Sequence, residues 1–143
     1  MAGRMTFDLP AQKDAFRAHD AWDFTLTFQG LPIEVSMQEA VGLSDEDELV
    51  LFKKVVLGVL AKKDAAVQLA ADRFFDEFLK NWNQDSPISR EEFVSRLKPA
   101  SIAIEPDGGA SMEFADDHDM FRGHAVVVSF DPLANITELE LAG

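Results

Sequence analysis

The chain has 143 residues, 47% hydrophobic and 27% charged, which is the balance of one globular domain and excludes a disordered chain. Its formal net charge of -13 opposes nucleic-acid phosphates and anionic lipid and favours basic partners or cations. With no cysteine, there is no disulfide framework, thiol nucleophile or Cys-based zinc site.

Residues 1–20 are mixed in character, lack clear periodicity and read as an N-terminal arm. Met1 to Asp8 holds no apolar run of the kind that marks a signal peptide, so a cytoplasmic location is expected. Trp22 to Phe28 alternates large apolar with polar residues, the period of a half-buried strand. Gly30-Leu31-Pro32 interrupts it, and Ile33 to Met37 alternates again, so the two form a hairpin with Pro32 near the start of the second strand.

The period then changes. Ser44 followed by Asp45, Glu46, Asp47 and Glu48 is a helix-start signal, a capping hydroxyl before carboxylates that complement the dipole. Leu49, Phe52, Val56 and Leu60 follow at spacings of three and four, with Val55, Leu57 and Val59 widening the stripe towards burial on most sides. Gly58 within this helix points to close packing against a neighbour. The longest uncharged apolar stretch in the predicted helices, Val55 to Ala61, is far short of a membrane span.

A second helix is predicted from about Asp64 to Trp82, with Val67, Ala70, Phe74, Phe78 and Trp82 on one face. Ser89-Arg90-Glu91-Glu92 is a capping box for a short third helix carrying Phe93, Val94 and Leu97, with Pro99 as its stop. Strands follow at Ser101–Glu105 and Ala110–Phe114 around an Asp107-Gly108 turn, then at Ala125–Phe130 and Ile136–Leu141. The order ββαααββββ predicts a single α+β domain, an antiparallel sheet of about six strands with helices packed on one face. The twelve phenylalanines, against no tyrosine and two tryptophans, are expected mostly in its core.

From Ala100 onwards nine carboxylates stand against the single cation Arg122. The densest segment is Asp116-Asp117-His118-Asp119-Met120-Phe121-Arg122-Gly123-His124, between two predicted strands. Asp117, His118, Asp119 and His124 offer the oxygen and nitrogen ligands that suit zinc or manganese, and an Asp beside a His can also act as an acid–base pair. Their spacing, however, matches neither H-E-x-x-H nor an EF-hand, and a connecting loop of solvated acids explains the same residues. No serine lies in a G-x-S-x-G elbow, and Gly108-Gly109 lacks the Lys-Ser/Thr and helix of a phosphate loop. Lys53-Lys54 and Lys62-Lys63 lack interleaved aromatics, so nucleic acid is not an expected partner. Trp82, at a helix end, reads either as a cover over the core or as an interface anchor.

Phe78-Leu79-Lys80-Asn81-Trp82, Ile88 to Phe93, Ser101 to Ile104 and Asp117 to His124, with Val126, Val128 and a terminal Ala142-Gly143, form an ordered set. In order and spacing residues 74–143 resemble an uncharacterised bacterial family, domain of unknown function 2262. The family pattern has Asp-Gly-Asp where this chain has Asp117-His118-Asp119. The resemblance implies no activity and no cofactor. By analogy with small acidic bacterial immunity proteins, the expected role is a non-catalytic module that binds a basic protein through Asp116, Asp117, Asp119, Arg122 and Trp82. A metal-binding protein or metal-dependent hydrolase built on Asp117, His118, Asp119 and His124 is the alternative. Self-association through an exposed sheet edge is a further option.

Overall fold

A computed structural model describes residues 16–18, 21–38, 44–82, 88–116, 121 and 124–142. Strands β1 (Phe16–Ala18), β2 (Ala21–Phe28) and β3 (Leu31–Gln38) precede helices α1 (Asp45–Ala61), α2 (Lys63–Glu77, continued by a π-helical turn over Phe78–Trp82) and α3 (Arg90–Arg96). Strands β4 (Leu97–Ile104), β5 (Ala110–Asp116), β6 (Ala125–Phe130) and β7 (Ile136–Ala142) complete the chain. The α+β class and the element order match the reading from sequence, with one short strand added inside the N-terminal arm.

The seven strands lie in one sheet in chain order. Their junctions follow local chemistry. Gln29 and Gly30 both have positive φ (52° and 79°), as a tight two-residue hairpin turn demands, and they join β2 to β3. At the β4–β5 turn Gly108 sits at φ 93°, while an Asp107 carboxylate oxygen accepts from the Gly109 N–H at 2.7 Å.

The sheet is mostly antiparallel, as expected, with one parallel pairing that local pattern does not announce. β3 and β4 are parallel, with Val35 opposite Ile102 and Met37 opposite Ile104. Between them residues 39–96 carry the helices, ample chain to return to the same end of the sheet and pair in the same direction. The remaining five pairings are antiparallel.

Register sorts the side chains. Val35, Ile102, Met112 and Val128 form one buried row across the sheet, and Met37, Ile104, Ala110 and Phe130 form another. Against these rows pack Phe52, Val56 and Val59 of α1, Val67, Ala70 and Phe74 of α2, and Phe93 of α3. Burying a Phe or Leu side chain contributes about 1.5–3 kcal/mol, so this layer dominates the fold's stability.

The helices begin where their caps require. Ser44 Oγ accepts from the Asp47 N–H and Ser89 Oγ from the Glu92 N–H. The Glu92 carboxylate, expected to reach back in the capping box, instead pairs with Arg96 one turn on. Gly58 lets α1 approach the β6–β7 turn, since a Cβ there would lie 3.2 Å from the Ala134 methyl. Leu57, placed in the widened stripe, is 37% exposed, so α1 is less enclosed than its composition suggests. Pro99 does not act as the helix stop. α3 already ends at Arg96, and Pro99 lies buried inside β4 beside a register shift between Pro99 and Ser101, where its missing N–H is tolerated.

Candidate functional site

The far side of the sheet carries no helix among the described residues, and its register brings distant acids onto one surface. One row runs Thr25, Glu34, Ser101, Glu113, Val127, Glu140. The next runs Asp23, Ser36, Ala103, Ser111, Ser129, Glu138. Asp23, Glu34, Glu113, Glu138 and Glu140 are all exposed, and Lys98, opposite Ala115, is the one basic side chain among the described residues of this face from β2 to β7.

The acids alternate with small or apolar residues rather than facing one another. Glu34 and Glu113 each oppose Ser101, and Val127 separates Glu113 from Glu140. Carboxylates on every second strand stand about 10 Å apart, near the screening length of physiological salt. Direct opposition of like charges, which destabilises a sheet, is thereby avoided while the potential over the face still adds up. Serine and alanine between the acids leave an open groove of about 450 Å³ bordered by Asp23, Thr25, Glu34, Ser36, Ser101 and Ala103.

Of the residues singled out from sequence, Asp117, His118, Asp119 and Arg122 lie outside the described residues. Asp116 is the last residue of β5, in register with Leu97. His124 precedes β6, half-buried, and its backbone N–H donates to the Phe121 carbonyl at 3.1 Å. Phe114 and Val126 are cross-strand partners, so the connection leaves and re-enters at one end of the β5–β6 pair. Trp82 closes the π-helical turn after α2. Among the described residues no group of three or more His, Asp and Glu side chains is placed to hold a metal ion.

Phe121 has a role that sequence reading missed. It is 1% exposed and meets Phe74, Phe78 and Phe93 at centroid separations of 6.3, 5.6 and 6.0 Å, each edge to face. Phe121 therefore ties its own point between β5 and β6 to α2 and α3. The signal was present in sequence as a large apolar residue inside an otherwise polar run. Asp23 and Glu34 were also missed. Their alternation marks an outward face, but nothing local places the first hairpin beside the C-terminal strands.

At the β6–β7 turn, Asp131 is held below the usual carboxylate range. The Asn135 backbone N–H donates to it, and the Asn135 side chain and the Leu133 N–H add further bonds, partly offset by desolvation. Its acceptors are filled by its own turn, which makes it structural. No described helix is long and apolar enough to cross a membrane.

No curated protein and no solved structure matches the chain. A family described as an uncharacterized protein conserved in bacteria (DUF2262) matches residues 17–141, from β1 through most of β7. The match covers the C-terminal region that carried the resemblance and extends it through the helices to the first hairpin, and the chain belongs to this family.

Proposed function

We propose that this domain is a non-catalytic binding module whose open sheet face engages a basic protein surface, in the manner of an immunity protein that neutralises an enzyme by attaching to it. The observation that carries this reading is the assembly of five exposed carboxylates, from β2, β3, β5 and β7, on the sheet face that no described helix covers. Such a face speeds encounter with a positively charged partner and rejects acidic ones, contributing more to rate and selectivity than to affinity. Small residues between the acids let the partner approach the backbone closely. Asp116 at the end of β5, followed in sequence by Asp117 and Asp119, adds further negative charge to the chain there.

Capture with the immobilised domain from a bacterium that encodes it tests the reading. A basic protein is expected to be retained at low salt and released as ionic strength rises, with retention falling in a Glu34→Lys/Glu113→Lys variant. Retention of no protein, or of partners held equally by that variant, would overturn it.

A further inference from the structure

The outer edge of β7 is open to a further strand among the described residues. β7 pairs with β6 on one side, and no described strand lies on the other. Edges of this kind are commonly blunted with lysine or proline, and Ile136 to Ala142 contains neither. Its one irregularity is a register shift near its start, and from Glu138 to Ala142 the pairing with β6 is regular.

The two sides of this strand are chemically distinct. Ile136, Leu139 and Leu141 continue the buried rows of the sheet but are only half-buried, because the core layer thins at this edge. Glu138 and Glu140 stand exposed on the open face. A strand added here would place alternate side chains over Leu139 and Leu141 and the others beside the two glutamates.

We infer that the β7 edge takes up an extended segment of a partner in which apolar residues alternate with lysine or arginine, adding an eighth strand to the sheet. The inference rests on the acidic-face reading for the charge of its occupant and goes beyond it in naming the mode of contact. A second copy of this chain is a poor occupant. Whether a twofold axis falls on Glu138, Leu139 or Glu140, antiparallel pairing of two β7 strands sets carboxylate against carboxylate, and a shift by one residue would turn the glutamates onto the apolar side. A basic strand meets neither obstacle, and main-chain hydrogen bonds along the edge supply affinity while alternate side chains supply selectivity.

A short synthetic peptide of alternating lysine and valine, added to the 15N-labelled full chain at low salt, tests this. Amide shifts are expected to centre on β7, with affinity falling about tenfold or more in a Glu138→Lys/Glu140→Lys variant. N-methylation of one alternate set of peptide amides should abolish binding, and N-methylation of the other set should leave it intact, which charge attraction alone would not produce. Equal binding by both N-methylated peptides, or shifts centred on β2 to β4, overturns strand addition while leaving the acidic-face reading in place. Absence of binding to the wild-type chain also overturns it. Failure of the acidic-face reading registers separately, as indifference of the captured partner to Glu34→Lys/Glu113→Lys.

Discussion

The two faces of this sheet are made from the same strands by the same alternation, yet they differ in nearly every physical respect. On one, Val35, Ile102, Met112 and Val128 are buried under three helices. On the other, one residue of register away, Glu34, Ser101, Glu113 and Val127 form a row with no helix over it among the described residues. The covered face concentrates the energy that holds the domain together. The open face contributes little to stability, and its composition is therefore free to answer to something else. Solubility alone accounts for acidic residues on a surface, but it does not require carboxylates to be interleaved with small residues on the side of the sheet that no described helix covers.

The contrast can be broken most forcefully on the covered side. Phe93 is fully buried, and its ring meets Phe75, Phe78 and Phe121. Phe93→Ala is expected to cost about 3–5 kcal/mol in chemical denaturation, because the cavity lies between α2, α3 and the β5–β6 connection. A cost below about 1 kcal/mol would show that the aromatic cluster is not the keystone of this layer. Overfilling should cost less. Gly58→Leu drives a side chain against Ala134, already 3.2 Å from where a Cβ would stand, and is expected to lose about 1–3 kcal/mol. Smaller again is Ser89→Ala, which removes the hydroxyl that accepts from Glu92 N–H at 3.0 Å and should lower stability by about 1 kcal/mol, read as a shift in denaturation midpoint at unchanged slope.

The smallest effect concerns pH. The Asp131 carboxyl is depressed chiefly by the Asn135 backbone N–H, so its contribution to the β6–β7 turn is present above the ordinary aspartate range and is lost as pH falls through its lowered value. An NMR titration should find this carboxyl ionised after ordinary surface aspartates have protonated. Titration with them would contradict the hydrogen-bonded turn.

Much of the covered face was legible in the amino-acid order because its signals are local. Ser44 and Ser89 announce helix starts, Asp107-Gly108 a hairpin, and period-two alternation the strands. Less could be read where the outcome depends on distant chain. Pro99 suggested a helix stop, but Lys98, preceding it, is already in extended backbone, and the strand absorbs the proline at its irregularity. The parallel pairing of β3 with β4 joins residues more than sixty positions apart, and no local pattern specifies it. That one pairing sets Asp23 and Glu34 on the same face as Glu113, Glu138 and Glu140. Sequence reading therefore placed the acidic surface on the final strands and the Asp116–Asp119 segment, and missed the share of it that the first hairpin contributes.

The most direct test of the account separates position from charge. Glu34→Lys/Glu113→Lys and Asp76→Lys/Glu77→Lys change net charge equally, the first pair on the open face and the second on the exposed side of α2. Binding of the captured basic partner should fall about tenfold or more in the open-face variant and stay within about threefold of wild type in the helix variant, with both remaining folded. Equal losses in the two would mean that the partner senses only total charge, and the open face of the sheet would then have no claim to be the binding surface.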